Sequence, residues 1–154
     1  MIGRAESSLW ISTYAFFDGK KAFERLASRM DAVPELEVTL LLNVDRKSHH
    51  GSAEEAIYKA GLSLWKYGWP GERRPRVYYF PEALEEDRSA RAVLHAKAIA
   101  RDASEVLVTS ANFTEAALDR NIELGVLLHD APLAQHVVRH YQRLTEEGRL
   151  ALLP

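Results

Sequence analysis

No cysteine occurs among the 154 residues. That one absence excludes a disulfide framework, a cysteine-ligated zinc site and a thiol nucleophile together. No stretch approaches the ~18 consecutive apolar residues of a membrane span. The N-terminal run MIGRAESSLWIST carries Arg4 and Glu6 where a secretory signal needs an apolar segment, so the expectation is a soluble, cytoplasmic chain. A dominant charge is lacking too: 20 Lys plus Arg against 22 Asp plus Glu leave a formal net charge of -2. A polyanionic partner must therefore meet a local cluster of cations rather than a basic domain. No internal repeat and no long block of like charge is visible. What remains, 47% apolar and 27% charged, is ordinary globular composition. The length suits a single domain, residues 1–154, with one sizeable core.

Hydrophobic patterning predicts alternating elements. Leu9 to Ala15 is rich in β-branched and aromatic residues and reads as a buried strand, with Asp18-Gly19 as a turn signal. Lys20 to Met30 places Ala22, Phe23, Leu26, Ala27 and Met30 at helical spacing. Leu36 to Val44 is a second strand. Ser52, with Glu55 three residues on, is a capping-box start for a helix reaching about Trp65. Val77 to Phe80, Val93 to Ala100, Ser104 to Ser110 and Ile122 to His129 are further strands. Thr114 to Leu118 is a short helix, and Pro132 to Glu147 a long one that stops at Gly148. Strand–helix alternation in the first half implies parallel pairing with crossover helices, and the short joins of the second half imply antiparallel pairing. The predicted fold class is α/β, a mixed sheet flanked by helices on both faces.

The densest polar constellation is LHAKAIARD, residues 94–102. In an extended chain His95 and Lys97 point to the same side. An ammonium beside an imidazole favours the neutral, nucleophilic ring and is itself a point charge for a phosphate oxygen. The next strand ends in Thr109-Ser110-Ala111-Asn112, where Ser110 and Asn112 share a face and offer donors to an anionic oxygen. Glu123 lies in an otherwise apolar strand, where a carboxylate is able to orient a histidine ring.

The spacing His95-x-Lys97-x4-Asp102-x6-Thr109-Ser110-x-Asn112 resembles the HKD motif of the phospholipase D superfamily, H-x-K-x4-D-x6-G-S-x-N. Thr109 stands where that motif has Gly. From average residue usage, a match at all these offsets arises by chance in on the order of 1 in 10⁴ chains or fewer. Glu123, in N-x-E-L-G, also matches the superfamily, and SLWISTYAFFDG resembles its first strand. More narrowly, residues 93–130 and the upstream WPGERRPRVYYFP resemble the phospholipase-D-like component of DISARM phage-defence islands.

The resemblance implies a phospholipase D-like fold and a phosphodiesterase needing neither metal nor cofactor. By it, His95 is the nucleophile, forming a phosphohistidine, and a second histidine is the general acid and base. Lys97 and Asn112 hold the phosphoryl oxygens with Ser110 assisting, Glu123 orients His95, and Asp102 braces the local structure. Two HKD motifs are required and this chain carries one, so the resemblance to short single-motif nucleases implies a homodimer. Nucleic acid, DNA before RNA, is the expected partner, with other phage-defence proteins and no stable membrane association.

That preference rests on Trp65-Lys66-Tyr67-Gly68-Trp69 followed by Arg73, Arg74 and Arg76, which interleaves aromatics with cations; Trp69, Arg73 and Arg74 are the candidate binding residues. A loop packed by its own aromatics is the alternative reading of that stretch. His49-His50 and the His136/His140 pair have metal-like spacing but no third ligand nearby, so they read as a solvated loop and a helix face. Two other functions stay open. Thr109 in place of Gly suggests an idle site in a nucleic-acid-binding or scaffolding subunit, and a phospholipid substrate is the further alternative.

Overall fold

The computed structural model describes residues 1–15, 19–46, 51–87, 89 and 91–154. The turn expected at Asp18 and the His49-His50 pair lie outside the described residues. Seven strands form one sheet in the order β6-β5-β4-β1-β2-β3-β7. They are β1 (Ser8–Thr13), β2 (Glu37–Leu42), β3 (Arg76–Tyr79), β4 (Ala98–Arg101), β5 (Glu105–Thr109), β6 (Gly125–Leu128) and β7 (Ala151–Leu152). The helices are α1 (Gly19–Ala32), α2 (Ala53–Leu62), α3 (Glu115–Asp119) and α4 (Ala131–Glu146). β1, β2 and β3 run parallel, and β4, β5 and β6 pair antiparallel, with β4 antiparallel to β1. This is the mixed α/β sheet that the patterning implies.

Each strand of the centre buries both faces, so its side chains alternate between two cores. Leu9 and Ile11 of β1 and Leu40 and Leu42 of β2 meet Phe23, Leu26 and Met30 of α1 and Ala56 and Ala60 of α2. On the opposite face, Tyr141 of α4 packs with Leu41, and Ala134 of α4 with Ala100 and Val106. Fully burying one Phe, Leu or Met contributes about 1.5–3 kcal/mol, so the first core dominates stability. Ser12 turns its hydroxyl toward α4 and shares a 2.8 Å hydrogen bond with the Tyr141 hydroxyl. The cap read at Ser52 is present, Ser52 Oγ accepting from Glu55 N; Thr114 also caps its helix, Thr114 Oγ1 accepting from Ala117 N. α2 runs on through wider π-type turns, residues 63–68, past the expected end at Trp65.

Three elements differ from expectation. The strand expected over Ile122 to His129 is confined to Gly125–Leu128, so Glu123 lies just before it rather than within it. β4 begins only at Ala98, so residues 91–97 approach the sheet outside a regular strand. Scattered bonds hold that segment: Asn43 Oδ1 accepts from Leu94 N at 3.1 Å, Ala92 N donates to Glu82 O at 3.4 Å, and Lys97 O accepts from Thr109 N at 3.1 Å, while Ser12 Oγ accepts from Ala98 N at 3.2 Å where β4 starts. β7 was not anticipated, because two residues are too short to show alternation.

Candidate active site

One end of the sheet collects the C-terminal ends of β1, β2 and β5 and the entry into β4. Tyr14 and Ala15 follow β1, Asn43 follows β2, His95 and Lys97 precede β4, and Ser110 and Asn112 follow β5. Backbone and side-chain bonds lock these ends together. Thr109 N donates to Lys97 O at 3.1 Å. Phe113 N donates to Thr13 Oγ1 at 2.9 Å, and Ala15 N to Asn112 Oδ1 at 3.2 Å.

Lys97 Nζ stands 3.3 Å from His95 Nε2 and donates to His95 O at 3.1 Å. With the ammonium as donor, Nε2 carries a lone pair and the ring proton sits on Nδ1. The Tyr14 ring lies 5.0 Å from the His95 ring, tilted by 58°, and Lys97 Nζ lies 5.8 Å from the Tyr14 ring centre. Tyr14 thus fixes one side of the imidazole and offers its π face to the ammonium. His95 is exposed and Lys97 half-buried, so a solvent-borne substrate can reach both.

Asn112 uses its carbonyl oxygen on Ala15 N, while its amide nitrogen makes no hydrogen bond among the described residues. It is a donor aimed by the fold and left open. Ser110 differs from expectation. Its hydroxyl donates to Glu123 Oε2 at 2.5 Å and accepts from Leu124 N at 3.1 Å. Its single proton is committed, so Ser110 does not serve a phosphoryl oxygen in this arrangement. Glu123 also accepts from Asn121 Nδ2 at 3.1 Å. The Ser110 hydroxyl first, then the Asn121 amide and the charge of Lys97, hold the Glu123 carboxyl below its ordinary range. Glu123 is therefore a fixed anion whose oxygens are engaged by Ser110 and Asn121; it is not hydrogen-bonded to His95, contrary to the sequence expectation.

Four other expected site residues stand elsewhere. Asp102 lies beyond the far end of β4, in the β4–β5 turn, where it and Ala103 adopt φ of 49° and 48°. Its carboxylate accepts from the backbone N–H groups of Glu6, Ser7 and Ser8 and from the Ser7 hydroxyl. That is a brace on the N-terminal segment, with no reach to substrate. Trp69 is buried against Phe23 and donates from Nε1 to Arg73 O at 2.8 Å. Arg73 caps the end of α1: its guanidinium donates to the carbonyls of Met30, Val33 and Leu36. Arg74 lies over the Trp65 ring at 4.9 Å. This stretch leads into β3 at Arg76, the level of Thr39 and away from the strand end at Leu42 and Tyr79. It stands at the opposite end of the sheet from His95. A segment packed by its own aromatics is what the fold contains.

Sequence reading missed Tyr14 and Asn43. Tyr14 carries no signal beyond its place just after β1. Asn43 had one: an amide at the end of an unbroken apolar run, LEVTLLLNV, is buried and needs a partner. Its partner is the N–H next to His95. The His136/His140 pair is exposed on α4, and no group of three or more His, Asp or Glu able to hold a metal occurs among the described residues.

The family described as cardiolipin synthase, PLD-like domain, matches residues 1–145. The chain belongs to the phospholipase D-like family. Among solved structures, the phospholipase D family member Nuc from Salmonella typhimurium has a TM-score of 0.64 and 20% identity, with 98% of this chain and 84% of that one covered. NucT from Helicobacter pylori has a TM-score of 0.62 and 20% identity over 94% of this chain and 82% of its own. Phosphatidylserine synthase from Haemophilus influenzae Rd KW20 has a TM-score of 0.65 and 16% identity over 90% of this chain, but only 32% of its own. At these identities the likeness is one of fold. No curated protein matches the chain by sequence. The phospholipase D-like fold accounts for the whole sheet, while the site's chemistry rests on this chain's own residues.

Proposed function

We propose that this phospholipase D-like protein is a metal-independent phosphodiesterase that hydrolyses nucleic-acid phosphodiester bonds as a homodimer. The observation that carries the reading is the Lys97–His95 pair, with Lys97 Nζ 3.3 Å from His95 Nε2. When a phosphodiester approaches, the Lys97 ammonium transfers its hydrogen bond to a phosphoryl oxygen and frees Nε2 to attack phosphorus. A P–N bond forms, one P–O ester bond breaks, and the leaving oxygen takes a proton from a second imidazole that enters the step as the imidazolium and leaves it neutral. Water, giving a proton back to that imidazole, then attacks the phosphohistidine and releases His95. Lys97 and the Asn112 amide stabilise the charge on the phosphoryl oxygens. Glu123, held as an anion by Ser110, compensates the charge of Lys97.

The second imidazole is the His95 of a second copy. Support comes from an apolar face beside the site. Ile122, Leu124, Val126 and Val108 are each at least half exposed, and β6 is an edge strand with unpaired backbone groups. A chain that left this face in water would invite association. Pairing of two copies there covers it and adds the missing histidine. A role in phage defence, in the cytoplasm and with other defence proteins, belongs to the same proposal and rests on the DISARM-like residues 93–130.

The phospholipid alternative has one specific support, the description of the matching family as cardiolipin synthase. No described helix is long and apolar enough to cross a membrane. The idle-subunit alternative rested on Thr109, whose side chain hydrogen-bonds Leu124 O and Ala111 N within the β5–β6 end.

The test uses labelled single- and double-stranded oligonucleotides and a short-chain phosphatidylglycerol, all in excess EDTA, with wild type, His95→Ala and Leu124→Arg. The proposal expects oligonucleotide cleavage by wild type, its loss in His95→Ala, and monomerisation with loss of cleavage in Leu124→Arg. Turnover of the lipid alone transfers the function to phospholipid; no turnover of either substrate contradicts the enzyme reading.

A further inference from the structure

A cavity of about 300 Å³ opens beside His95. Phe80, Leu94, His95, His140, Tyr141 and Arg149 line it. It lies between the segment entering β4 and the C-terminal half of α4. Its wall is pinned rather than loose: Asn43 Oδ1 accepts from Leu94 N, and Ala92 N donates to Glu82 O at 3.4 Å. The Arg149 guanidinium sits 5.8 Å over the Phe80 ring and 3.1 Å from Glu82 Oε1. The exposed His140 ring stands 5.8 Å from the Tyr141 ring at a 45° tilt.

We infer that this cavity is a nucleobase subsite, which seats the base next to the scissile phosphate. This inference rests on the nucleic-acid reading of the same site. Three features select the occupant. The walls combine flat rings with apolar side chains, which suits stacking of a planar heterocycle. The polar groups at the rim are the Arg149 guanidinium and the His140 ring, whose Nδ1 faces Arg143 Nη2 at 3.5 Å and whose Nε2 is left to donate; these donors complement base carbonyls. The volume is at the small end for ligand cavities, enough for one ring system with its sugar and too small for a pair of acyl chains. A base held there presents the attached phosphate to His95 and Lys97. The subsite thus supplies positioning, with no side chain reading sequence beyond purine or pyrimidine shape.

The experiment compares thymidine 5′-(4-nitrophenyl phosphate) with methyl 4-nitrophenyl phosphate, diesters with and without a base, using wild type, Val93→Trp and His140→Ala. Val93 is half exposed at the lip of the cavity, so Trp there fills it without disturbing the core. Wild type is expected to favour the base-bearing diester in kcat/KM by roughly tenfold or more, the loss expected for one stacked base. That ratio falls toward one in Val93→Trp and declines in His140→Ala. An undiminished ratio in both variants overturns the inference.

If wild type turns over neither diester, the phosphodiesterase reading fails separately, and binding decides the subsite. Titration with thymidine 5′-monophosphate is then expected to shift the ring resonances of His140 and Tyr141, while 2-deoxyribose 5-phosphate does not. Equal shifts from both, or from neither, overturn the subsite. Shifts from dihexanoylphosphatidylglycerol without shifts from the nucleotide overturn it in favour of an acyl occupant.

Discussion

Thr109 and Gly125 are cross-strand partners at the end of β5 and β6, and the space a Cβ of residue 125 would take is filled by the Thr109 side chain. A Cβ built on Gly125 stands 3.1 Å from both Thr109 Cβ and Oγ1 and 3.2 Å from Val108 O. The departure of position 109 from the motif's Gly is therefore absorbed between the strands. Gly125→Ala is expected to cost about 1–3 kcal/mol through overpacking. Combining it with Thr109→Gly removes one of the two clashes, so the double variant recovers part of the loss, with a coupling of roughly 0.5 kcal/mol or more. Urea denaturation of the four proteins measures this; strict additivity contradicts the pairing.

Asp102 makes a second prediction, on acid stability. Burial pushes its carboxyl up, but the N–H groups of Ser8, Ser7 and Glu6 and the Ser7 hydroxyl outweigh burial and hold it below its ordinary range. A depressed carboxylate contributes stability above its unfolded pKa of about 3.9, and loses it as pH falls through the lower folded value. Asp102→Asn tolerates the positive φ while removing the charge, and is expected to cost about 2–4 kcal/mol at pH 7. The gap from wild type should narrow as pH drops below about 4. A gap that stays constant down to strongly acid pH argues against a charged brace.

Arg73 and Trp69 separate stability from nucleic-acid affinity. Arg73→Ala strips three carbonyls of their donor at the end of α1 and is expected to cost about 2–4 kcal/mol. Trp69→Ala opens the core against Phe23 and is expected to cost about 3–5 kcal/mol. Oligonucleotide affinity, measured by fluorescence anisotropy below the melting range of Arg73→Ala, should stay within about twofold, because no phosphate contact is lost. A marked fall in affinity with stability intact places the nucleic acid on this surface after all.

Asn43 is a positioning residue for His95. Asn43→Leu keeps the volume but leaves Leu94 N–H without its acceptor, for a cost of about 1–3 kcal/mol. Misplacement of the neighbouring imidazole should lower kcat by about tenfold or more while KM changes little. Asn43→Asp, which retains an acceptor oxygen, should restore most of the rate. Equal rates in wild type and Asn43→Leu show that the bond serves stability alone.

Most of the fold was legible, because long-period features produced it. The apolar runs of β1 and β2, the 3.6-residue stripe of α1 and the cap at Ser52 need no tertiary context to be read. β7 and the irregular approach of residues 91–97 were not legible: the first is too short, and the second depends on Asn43 and Ser12 arriving from other strands. The site was legible as a set of residues, since motif spacing on adjacent strand ends draws His95, Lys97, Ser110, Asn112 and Glu123 to one end. Their bonds were not. Ser110 meets Glu123 because the β5–β6 register, continued past Thr109 and Gly125, brings Ser110 against Leu124, the neighbour of Glu123, which spacing alone does not reveal. The Trp65–Arg76 stretch misled because composition cannot distinguish an exposed cation from one that caps a helix.

The most direct measurement is mass spectrometry of the enzyme quenched at alkaline pH during turnover of an oligonucleotide in excess EDTA. A phosphoryl-linked nucleotide on the peptide containing His95, absent from the His95→Ala protein, is the predicted result. Sustained cleavage with that peptide unmodified at every quench time would contradict a histidine nucleophile.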